Sequence, residues 1–318
     1  MHINLLVILL TLSINMMTAT AQHPWLDKTE YPFTLRQFQV NGHQMNYIDE
    51  GAGEIILFVH GTPSWSFDFR KVIKGLQQEN RCMAIDHIGF GLSDKPKDYD
   101  YSTQNHSHTL EQFILKKDLQ NITLVLHDFG GPIGMAFALK YPERVKGLII
   151  MNSWLWSSKG EPEYEKFAKI LRSPLLPFLY RRLNFSPRFI LPKSFGPKNK
   201  PESKILKHYR KSFSKASERN GALAFAKSLL NDQDWFESMW QQKEKLQDIP
   251  VLFIWGMADP IITPTNLKKF QEGFPDADVY QLEASGHFPQ EEEPEKVVKA
   301  IQRFLKDENQ VLNSPDRF

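Results

Sequence analysis

Cysteine is almost missing from this chain, which carries one, Cys82, in 318 residues. A lone thiol excludes an intrachain disulfide and any cysteine-based metal cluster. Net charge is nearly absent as well, with 39 Lys and Arg against 37 Asp and Glu, so the molecule as a whole lacks the electrostatic footprint of a nucleic-acid binder. There is no internal repeat or low-complexity tract, and the Gly-rich segment 86–94 lacks the Gly-Lys-Ser/Thr ending of a phosphate-cradling loop. Nor does any apolar run reach the roughly 20 residues that span a bilayer. The longest, 3–14, has no Lys or Arg before it and leads to Ala19-Thr20-Ala21. It reads as a signal h-region with cleavage before Gln22. The expectation is therefore a signal peptide over 1–21, a secreted or periplasmic product, and no stable membrane span after cleavage.

What is present is a globular composition, 41% hydrophobic, enough for one large α/β domain carrying an insertion. Two short alternating segments, 33–38 and 45–48, flank Asn41-Gly42 and predict a hairpin. The continuous apolar runs at 55–59, 82–85, 122–126, 145–151 and 251–255 are too short for buried helices and suit strands covered on both faces. Helical segments at 67–76, 109–119 and 132–140 alternate with them, which implies a mostly parallel sheet with right-handed crossovers. Between about Trp156 and Gln233 no strand-like run occurs, and helical stretches interrupted by proline dominate. The expected organisation is a core over 22–156 and 234–318 with a helical cap at 157–233. That cap holds about 17 Lys and Arg against about 6 Asp and Glu. Dispersed along helices, without a recognition motif, these charges fit a solvated surface better than a nucleic-acid site.

Asp128 lies where the apolar run 123–127 ends in Asp128-Phe129-Gly130-Gly131 and passes straight into the helix-like 132–138. Such an elbow lifts one side chain over the sheet's C-terminal edge, with N–H groups of the next helix aimed at it. An Asp there either caps the helix or attacks carbon directly, since it is ionised at neutral pH and needs no base. Two later segments favour attack. Trp255-Gly256-Met257-Ala258-Asp259-Pro260 puts Asp259 at another strand end, and Ser285-Gly286-His287 presents a histidine after the short strand 278–282. Nucleophile, acid and histidine in that order follow the chain order of an α/β-hydrolase triad. In that reading Asp128 forms an alkyl ester, His287 activates water to hydrolyse it, and Asp259 orients the imidazole. The N–H groups of Thr62, in His60-Gly61-Thr62-Pro63, and of Phe129 would form the oxyanion hole. His60 itself reads as a structural histidine.

His60-Gly61-Thr62-Pro63-Ser64-Trp65-Ser66, the 86–96 loop, His127-Asp128-Phe129-Gly130-Gly131, Asn152-Ser153-Trp154-Leu155-Trp156 and Gly286-His287-Phe288-Pro289-Gln290-Glu291 together resemble the haloalkane dehalogenase and epoxide hydrolase branch of the α/β-hydrolases. The resemblance covers nearly all of the chain beyond residue 21. It implies an α/β-hydrolase fold, no cofactor and no metal, and a small apolar substrate with water as its partners. It also offers a second place for the triad acid, after the strand before the cap, but the residue there is near Asn152, which cannot ionise. Members that release halide usually have Trp after the nucleophile and often Asn after His-Gly, where this chain has Phe129 and Thr62. Phe donates no hydrogen bond. Leaving-group stabilisation must come from elsewhere, with Trp65, Trp154 and Trp156 as candidates that could equally be packing residues, or the substrate is not a halide. Similar epoxide hydrolases use cap tyrosines to protonate the opening ring, for which Tyr164, Tyr180 and Tyr209 are available. Fluoroacetate dehalogenases place Arg after the nucleophile, which Phe129 excludes. A binding protein without catalysis on the same fold is the reading from another class.

Overall fold

The computed structural model describes residues 23–312; the expected signal segment lies outside the described residues. The hairpin forms as predicted, with β1 (Arg36–Val40) and β2 (His43–Glu50) antiparallel and Val40 opposite His43. Asn41 and Gly42 both adopt positive φ, 50° and 80°, as a two-residue turn matched to strand twist requires. The remaining strands are β3 (Glu54–Val59), β4 (Asn80–Ile85), β5 (Ile122–His127), β6 (Val145–Met151), β7 (Val251–Gly256) and β8 (Asp278–Leu282). They complete one eight-stranded sheet in the order β1-β2-β4-β3-β5-β6-β7-β8. All pairs from β4 to β8 are parallel, while β1 and β2 add an antiparallel edge.

Both faces of the sheet are covered, and the split follows the two-residue period of a strand. Leu57, Val59, Leu124, Leu126, Leu148 and Ile150 pack on one side, with Phe113, Ile133 and Phe137. Ile56, Phe58, Val125, Ile149 and Ile254 pack on the other, with Val72, Val297 and Ile301. The helices responsible are α1 (Arg70–Leu76), α2 (Thr103–Lys116), α3 (Gly130–Lys140) and, near the C-terminus, α10 (Pro294–Leu312). Helix α2 begins six residues before the predicted 109, because Ser102 Oγ accepts the N–H of Asn105 and caps a polar first turn.

Between β6 and β7 the described residues contain helices and turns only: α4 (Pro162–Leu171), α5 (Leu176–Leu183), α6 (Ser203–Lys211), α7 (Asn220–Asn231) and α8 (Gln233–Trp240), with a π-helical turn at Ser186–Ile190 and a short helix at Leu191–Ser194. This is the inserted helical region, set above the C-terminal ends of the parallel strands. Helix α9 (Pro264–Gly273) follows β7.

Candidate active site

β5 delivers Asp128 to the sheet's upper edge, and α3 starts two residues later. Asp128 sits at φ 53°, a left-handed conformation uncommon for a side chain other than glycine. The tight bend is possible because glycine surrounds it. A Cβ on Gly61 would come within 2.0 Å of Asp128 Oδ1, and one on Gly130 within 2.0 Å of the Val59 carbonyl oxygen. The elbow is tied down by the Asp128 N–H donating to Asn152 O at 3.2 Å and by Ser153 Oγ donating to Asp128 O at 2.7 Å.

Three side chains remote in sequence meet there. His287 donates through Nδ1 to Asp259 Oδ2 at 2.7 Å, and its Nε2 lies 3.4 Å from Asp128 Oδ2. All three are buried. The other nucleophile oxygen, Asp128 Oδ1, accepts the Thr62 N–H at 2.7 Å. Phe129 follows at the start of α3, where the first N–H groups of a helix have no intrahelical acceptor. Burial alone would lower the basicity of His287, but Asp259 and Asp128 outweigh it and push the imidazole up to about 10.

The acid is held as firmly as the base. Asp259 Oδ2 accepts from Asn152 Nδ2 at 2.8 Å and Oδ1 from the Ile261 N–H at 2.7 Å. Asn152 therefore occupies the alternative acid position as a donor to the acid that is present. Its Oδ1 accepts the Gly256 N–H at 2.8 Å, joining the ends of β6 and β7.

The three tryptophans are placed differently from one another. Trp154 stands edge-on to Phe129 at 4.8 Å between ring centres, beside the nucleophile's elbow. Trp65 is fully buried among Trp25, Tyr31 and Phe67. Trp156 packs on Trp240 and Phe270 under Lys269. The cap tyrosines also divide. Tyr164 donates to Leu229 O and Tyr209 to Glu291 Oε2. Tyr180 is buried and close enough to feel the Asp128 charge; burial first, and that charge last, push its hydroxyl up to about 12 against a hydrogen bond with Ser186.

Reading the sequence missed three residues that shape this site. His127, directly before the nucleophile, donates through Nε2 to the His287 carbonyl oxygen at 2.6 Å. Glu292 accepts the N–H groups of Gly286, Phe288 and Gly196, binding the histidine loop to the segment that ends the cap's short helix. Asp68 is fully buried with its Oδ2 3.8 Å from His127 Nδ1. Only His127 carried a usable signal, its adjacency to Asp128. His60 is satisfied on both ring nitrogens, by Gly61 O at 2.7 Å and the His87 N–H at 3.0 Å, as a structural histidine should be. Among the described residues no group of three or more His, Cys, Asp or Glu is arranged to hold a metal ion.

The profile of the family described as alpha/beta hydrolase fold matches residues 54–294. The chain belongs to this family. It is 32% identical over 281 residues to haloalkane dehalogenase 2 of Mycobacterium tuberculosis, an alignment covering 87% of this chain and 97% of that protein. It is 33% identical over 286 residues to the cis-3-alkyl-4-alkyloxetan-2-one decarboxylase of Shewanella oneidensis, covering 87% and 90%. Among solved structures, the haloalkane dehalogenase DatA of Agrobacterium tumefaciens C58 superimposes with a TM-score of 0.77 at 25% identity, covering 86% of this chain and 97% of that one. This α/β-hydrolase is an enzyme of the haloalkane-dehalogenase branch, with a buried Asp-His-Asp constellation suited to an ester intermediate.

Proposed function

We propose that the enzyme displaces a leaving group from a saturated carbon of a small or medium apolar molecule, with Asp128 as nucleophile, and then hydrolyses the alkyl ester. The observation that carries this reading is the division of labour between the two Asp128 oxygens. Oδ1 is held by the Thr62 N–H at 2.7 Å, whereas Oδ2 has only the longer 3.4 Å approach of His287 Nε2 and is the oxygen left to attack carbon. In the ester, Oδ1 becomes the carbonyl oxygen and then the oxyanion, already on its donor and joined there by the Phe129 N–H.

The charge on Asp128 also times the base. In the resting enzyme two carboxylates favour a protonated His287, and an imidazolium cannot take a proton from water. Alkylation neutralises Asp128 and removes one of them. The imidazole becomes less basic, releases its proton to solvent with the departing anionic leaving group, and the neutral ring can then deprotonate the water that attacks the Asp128 carboxyl carbon. Asp259 remains to steady the cation formed in that step.

The branch and its named relatives favour a carbon–halogen bond as the one broken. A second reading, a strained oxygen ring such as an epoxide or an oxetan-2-one, rests on a specific observation. Phe129 offers no donor to a departing halide, whereas Tyr180, buried in the cap and within range of the Asp128 charge, carries a hydroxyl that could leave its Ser186 partner to protonate a ring oxygen. The test of the shared chemistry is His287→Gln incubated with a substrate the native enzyme turns over. Intact-mass analysis should detect a covalent adduct that is absent from Asp128→Asn, because attack needs no base but hydrolysis does. Absence of any adduct overturns the covalent route.

A further inference from the structure

We propose that the cap docks on the surface of an anionic lipid bilayer. Eight large hydrophobic side chains are exposed in the described structure, and six of them, Phe167, Ile170, Leu175, Phe178, Leu183 and Phe189, fall within one stretch of the cap. They lie on α4, on α5 and on the turns that follow each, exposed by 39% to 64%. Scattered apolar residues on a surface need no explanation, but a cluster of this size on consecutive elements does.

The charges around the cluster say what covers it. Residues 166–201 contain nine Lys and Arg and no Asp or Glu, although the chain as a whole is almost neutral. Large apolar side chains among unopposed cations are the composition of an element lying in a membrane interface, its rings among the acyl chains and its cations at the anionic headgroups. A second copy of this chain would bring the same positive surface against itself.

The same part of the cap also offers a place for a headgroup. Asn184, Arg188, Lys207, Arg210, Lys211, Ser214 and Arg219 surround a concavity of about 300 Å³ with five cationic side chains and no carboxylate in its lining. The Arg219 guanidinium is fixed by the carbonyl oxygens of Phe213, Ser214, Arg181 and Arg182. Arg210 Nε is buried and has no partner. Burial, then the charge of Arg188, holds Arg219 below the usual guanidinium range, and Glu218 offsets only part of this; a phosphate among these cations would offset more. Two of the lining residues, Asn184 and Arg188, are the chain neighbours of the exposed Leu183 and Phe189.

Docking in this orientation sets the bilayer against the roof of the site. Residues two apart on a helix point to nearly opposite sides, and α5 has Phe178 exposed while Tyr180 is buried within range of the Asp128 charge. An apolar substrate, as in the proposed function, could then enter from the lipid phase. The docking itself rests on the cap surface and not on that reaction.

The test is co-sedimentation of the full chain with vesicles of phosphatidylcholine alone and of equimolar phosphatidylcholine and phosphatidylglycerol. Binding should require the anionic lipid and weaken as salt rises. Ile170→Glu combined with Phe178→Glu should reduce it on the order of tenfold or more, through lost apolar insertion and added repulsion. Arg182→Glu combined with Arg188→Glu should also weaken it. These side chains are exposed, so circular dichroism and turnover of a water-soluble substrate should match the native chain. Failure to bind anionic vesicles overturns the proposal, as does binding that both variant pairs leave unchanged, which would locate it elsewhere in the chain. Dimerisation abolished by Ile170→Glu/Phe178→Glu without vesicle binding overturns it in favour of self-association, and salt-sensitive retention of duplex DNA without vesicle binding overturns it in favour of a nucleic acid.

Discussion

His127 Nε2 donates to the carbonyl oxygen of His287 at 2.6 Å, so the residue before the nucleophile fixes the backbone that carries the base. Since a carbonyl only accepts, His127 bears its proton on Nε2 and leaves Nδ1 bare. Burial, then the charge of His287, lowers its pKa to about 4 and keeps this tautomer neutral. His127 thus acts through His287 as a positioning residue. His127→Ala should slow ester hydrolysis about ten- to a hundredfold, the range a misplaced catalytic group produces, and leave the alkylation step unchanged. His127→Gln, whose amide can still donate, should restore part of the loss. Pre-steady-state measurement of the two steps checks this, and equal slowing of both would assign His127 a general structural role.

Behind His127, Asp68 is buried, and the charge of Arg70 is the least of the influences on its carboxyl. Burial pushes it up to about 8, against the hydrogen bonds from Ser64 and Gln290. With His127 held neutral, their 3.8 Å approach is not an ion pair. An unfolded Asp titrates near about 4, so the folded state holds this proton more tightly. The stability it contributes at low pH is therefore lost as pH rises from about 4 to about 8 and stays lost above that. Asp68→Asn removes the titration while keeping the shape. The variant should gain on the native enzyme by about 1–3 kcal/mol in denaturant unfolding at alkaline pH, with the gap closing toward about pH 5. A gap independent of pH would show that Asp68 is not the group responsible.

The legible parts of this molecule were those encoded locally. Buried parallel strands read as apolar runs because both faces are covered, and Asn41-Gly42 specified its turn chemically. Asp128, Asp259 and His287 were found because each follows a strand and their order is diagnostic. The start of α2 was missed because Thr103-Gln104-Asn105-His106 has no apolar period and its only signal was the Ser102 cap. Glu292 and Asp68 could not be found, since their roles depend on groups brought together by folding, such as Gly196, 96 residues from Glu292 in sequence. Trp65 and Trp156 were candidates by residue type, yet their packing partners are core aromatics; Trp154 alone is in contact with the residue after the nucleophile.

Tyr180 provides the direct test of an oxygen leaving group. Its hydroxyl is neutral and stays so across the physiological range, since burial and Asp128 both oppose ionisation. If it protonates a ring oxygen, Tyr180→Phe should lower epoxide or oxetan-2-one turnover by about 10²-fold or more and should not reduce halide release, because a halide leaves without a proton. Product analysis with both substrate types in one buffer decides this. Equal loss of both activities would reduce Tyr180 to a pocket wall.

Phe129 separates the same two readings from the other side. It is 2% exposed, stacked on Phe225 at 4.6 Å and edge-on to Trp154 at 4.8 Å between ring centres. If the natural leaving group is a halide, Phe129→Trp should add an indole donor near it and raise halide release by up to about 10²–10³-fold, the worth of one preorganised donor. The larger ring must find room, and overpacking costs about 1–3 kcal/mol, so Phe129→Trp should be measured alone and with Phe225→Leu, which frees space on the stacked side. If the natural substrate is a strained oxygen ring, neither variant should raise halide release above background, and both should impair ring opening by displacing Tyr180 or the substrate. Halide release and ring opening measured for native enzyme, single variant and double variant, across chlorinated, brominated and iodinated substrates, assign the chemistry. The dehalogenation reading fails if none of the three releases halide while the native enzyme opens the ring.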